Sequence, residues 1–350
     1  HGREDRIPEY LASLEREIGS GQPALSEEVD TIYFGGGTPS LMSASQVGRV
    51  LSGVRDRFRP VPEAEISLEA NPDNVTPDLL EGYLRAGVSR LVIGAQTLDD
   101  RVLRRVGRAH DGAGSIAAVK LARRSGFAEV GLDLIAGLPG EDLTRWGETI
   151  HKVVDSGPTH LSVYLLETDK DSPLARAIRA GRVPVAEDDA ADAYETTVEM
   201  LARHGFPQYE ISNFAAPEHV SRHNLKYWTD RAFGGFGLGA HAYQRGERRS
   251  NRIDLDGYVQ DTREGRDPVE WEEPWSPERR LAEALVFGLR LVRGVDPKAL
   301  ESRYGVDILE RYGDAWERAR AAGILERDCA RLRLTRSGLL RSNELFSEIV

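Results

Sequence analysis

Three consecutive glycines, Gly35, Gly36 and Gly37, close an apolar stretch and run into Thr38, Pro39 and Ser40. Without a Cβ, their backbone N–H groups can approach a ligand closely and their φ can be positive. That suits hydrogen bonding to a ligand or a close carbonyl contact; the plain alternative is a tight turn from strand to helix. Polar residues recur at the ends of later apolar stretches: Glu69 in Leu-Glu-Ala-Asn-Pro, Gln96 in Ile-Gly-Ala-Gln, Asp133 in Asp-Leu-Ile-Ala-Gly-Leu-Pro-Gly, and Glu167. Carboxylates in such places suit a ligand carrying ribose hydroxyls or an ammonium group. Arg108, in Val106-Gly-Arg-Ala-His110, could serve an anionic ligand group or stand as a solvated helix charge. Any one of these residues reads equally as a cap or loop partner. Five strand ends of the same kind call for a common explanation.

A second constellation is Ser221-Arg-His-Asn-Leu-Lys-Tyr-Trp228. On a helix, His223 and Tyr227 share a face. A neutral imidazole there could ligate haem iron while the aromatic side chains pack on a porphyrin; the plain reading is a hydrogen-bonded structural histidine. His241, in Gly234-Gly-Phe-Gly-Leu-Gly-Ala-His-Ala-Tyr243, is a candidate second axial ligand. No convincing helix follows those glycines, which argues against a dinucleotide fingerprint. Alternation of Gly with Phe236, Leu238, Ala240 and Ala242 suggests a strand pressed against something flat or bulky.

The elements that must position these residues alternate. Ile7, Tyr10, Leu11, Leu14 and Ile18 mark an amphipathic helix near residues 5–18. Strands follow at Val29–Phe34, Glu65–Glu69, Arg90–Ile93, Val130–Ile135 and Leu161–Leu166, with helical stretches between them. The first is expected to be covered on both faces. This order predicts an α/β fold with a parallel sheet, a partial (β/α) barrel whose strand C-termini converge on one face. Residues 1–210 form that part. The span 167–181 reads as loop, Glu187–His204 as a long helix and Gln208–Ser212 as a further strand. Residues 211–269 hold the His-Asn-Leu-Lys-Tyr-Trp segment and a connection, the latter over 250–275. Residues 270–350 form a smaller α+β domain, helical from Ser276 and closing on a strand or wing at Cys329–Thr335.

Composition bounds the function. At 350 residues, 40% hydrophobic and 29% charged, the chain has ample core for one large and one smaller domain. A net charge of −11 argues against non-specific nucleic-acid binding. No apolar run approaches membrane-spanning length, so a soluble cytoplasmic protein is expected. One cysteine, Cys329, allows neither an internal disulfide nor a cluster held by several thiolates from these residues.

Taken together, the motifs resemble those of the radical S-adenosylmethionine (SAM) proteins of the oxygen-independent coproporphyrinogen oxidase type, over nearly the whole chain. Tyr33-Phe-Gly-Gly-Gly-Thr-Pro-Ser40 is similar to the glycine motif that contacts the amino-acid end of SAM in that family. Glu69, Gln96, Arg108 and Asp133 fall where the family places further SAM contacts. The resemblance thus implies SAM binding by Gly36, Gly37, Thr38, Glu69, Gln96, Arg108 and Asp133. His223-Asn-Leu-Lys-Tyr-Trp228 has the form HNxxYW, which separates the family's haem chaperones from its oxidases. It implies haem binding by His223, Asn224, Tyr227 and Trp228, with His223 as iron ligand.

The family also carries a CxxxCxxC loop for a [4Fe–4S] cluster. The resemblance places it upstream of His1, with the first barrel strand, and Cys329 cannot replace it. Weak SAM binding and no reductive SAM cleavage are expected of these 350 residues. The function implied is a haem-binding chaperone delivering haem to recipient haem proteins, without oxidase activity. The alternatives are an oxygen-independent coproporphyrinogen III oxidase of porphyrin biosynthesis and an inert remnant. The chaperone reading leaves room for a homodimer and for peripheral membrane association during delivery, and involves no nucleic acid.

Overall fold

The computed structural model describes residues 4–20, 28–169, 172–184, 187–244, 246–328 and 330–350; Cys329 lies outside the described residues. Among them, one sheet has seven strands: β1 (Glu28–Phe34), β2 (Arg59–Ala70), β3 (Arg90–Gln96), β4 (Glu129–Ala136), β5 (His160–Leu165), β6 (Gln208–Glu210) and β7 (Asn213–Ala215). Their order is β1-β2-β3-β4-β5-β7-β6. β2 to β5 pair in parallel, and β5, β7 and β6 pair antiparallel. The result is an α/β half-barrel that ends in a short antiparallel hairpin.

Each parallel strand has an apolar face that is buried against the rest of the fold. Leu91, Ile93 and Ala95 of β3, and Val130, Leu132, Leu134 and Ala136 of β4, are almost wholly excluded from solvent. The helices between them begin where the chemistry of the caps dictates. Thr76 accepts a hydrogen bond from the Leu79 amide, Pro77 opens the helix Pro77–Ala86, and Gly87 closes it in the left-handed region. Asp111 and Asp142 cap the helices Gly112–Arg124 and Leu143–Asp155 in the same way. β1 departs from expectation. It ends the strand order, and most of its residues are only half-buried rather than covered on both faces. Within 167–181, Ser172 and Pro173 start a helix, Pro173–Arg179, where a loop was expected.

The chain divides into two compact units. One comprises Ile32–Ser45 and Glu65–Ser221; the other comprises His1–Thr31, Gln46–Ala64 and Arg222–Val350. In the first, an ionic lattice sits at the N-terminal ends of the strands. Arg90, 2% exposed, lies 3.3 Å from Glu65 and 3.3 Å from Glu129, and donates to the carbonyls of His219 and Val220. His219 meets Glu129 at 2.8 Å, and His160 meets the Tyr209 hydroxyl at 2.8 Å. Burial, then the nearby Arg90 charge, pushes His160 down to about 3, so it stays neutral.

The second unit holds an antiparallel sheet of β8 (His241–Gln244), β9 (Glu247–Asn251) and β10 (Val269–Pro274), in order β10-β9-β8 among the described residues. The span 250–275, expected to be a connection, therefore contains the end of β9, a helix Leu255–Arg263 capped by Asp254, and β10. Its first helix, Ile7–Ser20, presents Glu17 to the glycine-rich segment. Buried Glu17 accepts from the Tyr258 hydroxyl (2.7 Å), the Gly237 amide (2.8 Å) and the Asn251 amide (2.7 Å). The glycine segment is strand only from His241. Gly237 and Gly239 turn in the left-handed region, and a Cβ on Gly235 would sit 2.0 Å from the His241 carbonyl oxygen. Gly235 thus lies close to backbone of the same segment, while Gly237 lies against the Tyr10 side chain, where a Cβ would be 2.5 Å from the hydroxyl. Further on, the helix Pro277–Leu289 precedes a β11 (Leu325–Asp328) and β12 (Arg331–Leu334) hairpin. Among the described residues no helix is long and apolar enough to cross a membrane.

Candidate functional site

The C-terminal ends of β1 to β4 bring the expected strand-end residues of the first unit together. Tyr33, on β1, donates its phenol hydroxyl to Glu69 at 2.9 Å. The Gly36 amide donates to the other Glu69 oxygen at 3.2 Å. Gly35 is required by crowding, because a Cβ there would lie 2.6 Å from the Tyr33 ring and 3.0 Å from Glu69. Gly36 and Gly37 have φ of 77° and 59°, and a Cβ on either would meet nothing. The loop thus exposes left-handed backbone, the arrangement in which N–H groups face a ligand. Thr38 follows without a side-chain capping bond.

Gln96 ends β3 with φ of 69°, at a register shift between Gly94 and Gln96 against β4. A non-glycine residue in that region is strained, and bulges of this kind re-aim side chains beside functional sites. Asp133 lies one strand over. Its Oδ1 is sealed from solvent and has no hydrogen-bond partner among the described residues. Burial pushes its carboxyl up to about 7; a hydrogen bond with Ser162 opposes the shift and the Glu69 charge adds to it. Burial, then the Glu69 and Asp133 charges, also raises the Tyr33 phenol. Arg108 is half-buried, and its guanidinium has no hydrogen bond or ion pair among the described residues; burial lowers its pKa. Glu167 lies two residues beyond β5 and is exposed.

The strand ends offer two carboxylates, Glu69 and Asp133, the second with an unsatisfied oxygen, and a left-handed backbone at Gly37. Their chemistry suits a zwitterion, with an ammonium group against the carboxylates and a carboxylate against the Gly37 amide. Sequence reasoning singled out every polar member except Tyr33. Its signal was its place at the end of β1, two residues ahead of Gly35.

In the second unit the helix Arg222–Trp228 carries His223, Asn224, Tyr227 and Trp228. His223 and Tyr227 do share a face: His223 Nε2 is 2.9 Å from the Tyr227 hydroxyl, with the rings edge to face. His223 Nδ1 is 2.9 Å from the Thr31 hydroxyl, so both ring nitrogens are engaged. Tyr227 and Trp228 line a cavity of about 370 Å³, and His241 lies on its wall.

Metal centres are a separate matter. Among the described residues no three His, Cys, Asp or Glu side chains are placed to hold an ion. The sequence contains one cysteine, which cannot supply the three thiolates of a [4Fe–4S] cluster.

Comparison with known proteins gives the site its context. The model of the radical SAM superfamily matches residues 11–153, and that of the HemN C-terminal domain matches residues 275–341. A protein of Bacillus subtilis named heme chaperone HemW is 32% identical, over 97% of this chain and 90% of its own. The heme chaperone HemW of Mycobacterium tuberculosis (strain H37Rv) is 35% identical, over 97% of this chain and 86% of its own. Among solved structures, Escherichia coli coproporphyrinogen III oxidase (HemN), a radical SAM enzyme, superposes with a TM-score of 0.86 at 21% identity. It covers 100% of this chain and 84% of its own. That last likeness is one of fold.

Proposed function

The chain belongs to the HemW family of radical SAM proteins, and from that premise we propose that it binds haem and passes it to recipient haem proteins. The observation that carries the reading is the helix Arg222–Trp228, which sets His223, Asn224, Tyr227 and Trp228 beside an aromatic cavity. Tyr227 and Trp228 offer flat faces to a porphyrin. His223 can present Nε2 to iron only by giving up the Tyr227 hydroxyl. A cytoplasmic setting belongs to the same reading, as do delivery at a membrane surface and assembly as a homodimer.

SAM is the second ligand of the proposal. Gly36, Gly37 and Thr38 would receive its amino-acid end, with Glu69, Gln96, Arg108 and Asp133 around it. Support for the fit lies in the unsatisfied Asp133 oxygen, the unpaired Arg108 and the open space beside Gly36 and Gly37. In the family, SAM bound to a reduced [4Fe–4S] cluster supplies radical chemistry. The residues present do not fit that cluster, so their part is to bind and orient SAM. Calorimetric titration should accordingly give weak SAM binding, weakened about tenfold further by Glu69→Ala.

The test of the haem reading is a haemin titration followed by absorbance, with an apoprotein acceptor added at saturation. A saturable Soret shift that then moves to the acceptor's spectrum is the expected result. The reading falls if the chain gives no saturable shift.

A further inference from the structure

We propose that the porphyrin sits in the cavity bounded by the helix Arg222–Trp228, the β8–β9 hairpin and the helix Pro277–Leu289, with His241 as the iron ligand; this rests on the haem reading above. The cavity, about 370 Å³, falls within the size of small-molecule clefts. Six aromatic rings line it, those of Tyr227, Trp228, Phe233, Tyr243, Trp275 and Phe287. They form a connected set: Tyr227 meets Phe233 at 4.8 Å between centroids, Trp228 meets Phe287 at 5.9 Å and Tyr243 meets Trp275 at 5.8 Å. Such a box selects a flat, extended π-system rather than an aliphatic ligand.

Asp230, Arg231, His241, Arg248 and Glu283 complete the lining, and several polar atoms there lack partners among the described residues. The indole N–H of Trp228 is sealed from solvent with no hydrogen-bond partner among the described residues. The same holds for Arg248 Nε. The Arg248 guanidinium lies over Trp275 at 4.7 Å and over Phe287 at 5.3 Å, and its one carboxylate neighbour, Glu283, is 3.7 Å away. Exposed Arg231 also borders the cavity, without an ion-pair partner among the described residues. Asp230, the other acid of the wall, is already committed to the Tyr243 hydroxyl at 2.8 Å and to Arg303 at 2.8 Å. Two arginines with spare donors in an aromatic box call for a planar ligand that bears carboxylates. A porphyrin's propionates meet that requirement.

The histidines differ in what they can give. His223 has a hydrogen bond on each ring nitrogen. His241, exposed at the start of β8, has none on either nitrogen among the described residues; its ring contact is the Trp271 edge at 6.1 Å. The position of its backbone is held by Gly235, where only a hydrogen leaves room for the His241 carbonyl. The imidazole is thus presented beside the cavity on a fixed stem with a nitrogen ready for iron.

The decisive measurement pairs two probes on the full chain: haemin followed by its Soret band, and iron-free protoporphyrin IX followed by quenching of tryptophan fluorescence. His241→Ala should weaken haemin at least tenfold and move the Soret band, with added imidazole restoring the parent spectrum. The same variant should hold protoporphyrin within about twofold of the parent, which also reports that it is folded. Arg248→Gln should weaken both probes about fivefold or more. His223→Ala should weaken haemin binding, because it frees the Tyr227 hydroxyl, but should leave the Soret position in place. If the parent binds haemin and His241→Ala titrates like it, the iron ligand is elsewhere and the assignment fails while the haem reading stands. A Soret band lost in His223→Ala and kept in His241→Ala has the same meaning. Failure of the parent to bind haemin overturns both. Should His241→Ala not fold, His241→Met decides the matter, since a thioether ligand shifts the Soret band only if residue 241 holds the iron.

Discussion

Asp133 shows what a single residue contributes at the proposed SAM site. Its carboxyl, raised to about 7 by burial, stands well above the ordinary aspartate value of about 4. A raised pKa contributes stability that is fully present below the unfolded value and is lost as pH rises through the folded one. The gain from Asp133→Asn should therefore grow between about pH 4 and pH 7 and level off above, reaching on the order of 4 kcal/mol. Thermal melts of parent and variant across that range check it; a pH-independent difference would refute the assignment. A bound ammonium group would hold Asp133 ionised, so ligand and proton compete for one carboxylate. The polar strand ends were legible in the sequence because glycine, proline and polar residues punctuate apolar runs. Tyr33 was not, since an aromatic residue inside an apolar strand reads as core. Nor were Arg248, Trp275 and Phe287, which reach their cavity through tertiary packing that spans some sixty residues.

Among the elements, those shaped by local physics were readable and those shaped by partners were not. The parallel strands announce themselves as short apolar runs between caps. β9, Glu-Arg-Arg-Ser-Asn, is nearly all polar and exists because its main chain pairs on both sides. β10 alternates acids with Trp271 and ends in Pro274, and the helix between them carries Gly257, so the stretch looks like a connection. What joins these elements to the first helix is buried Glu17. Replacing it by alanine strands three donors, on Tyr258, Gly237 and Asn251, and should destabilise the protein by about 2–4 kcal/mol in urea denaturation. Glu17→Gln keeps one acceptor and should lose less than half as much. Equal losses would mean that charge, rather than acceptor geometry, matters there.

At the scale of the whole molecule, the sheet is secured at one end of its strands and left unsatisfied at the other. Arg90→Ala leaves buried Glu65 without its cation and half-buried Glu129 short of one, and should destabilise by roughly 3–5 kcal/mol, measured by equilibrium unfolding. A loss below about 1 kcal/mol would show the lattice to be hydrated. The C-terminal ends hold the opposite kind of residue: Gln96 in a left-handed conformation and Asp133 with an orphaned oxygen. Gln96→Gly would relieve backbone strain, and Asp133→Asn would remove a buried charge. A laboratory lineage selected for heat resistance alone would accept both exchanges early and arrive at a sturdier protein with a blunted ligand face. Heat selection on this fold therefore needs a binding screen beside it, because the thermometer rewards the loss of the residues that hold the ligand.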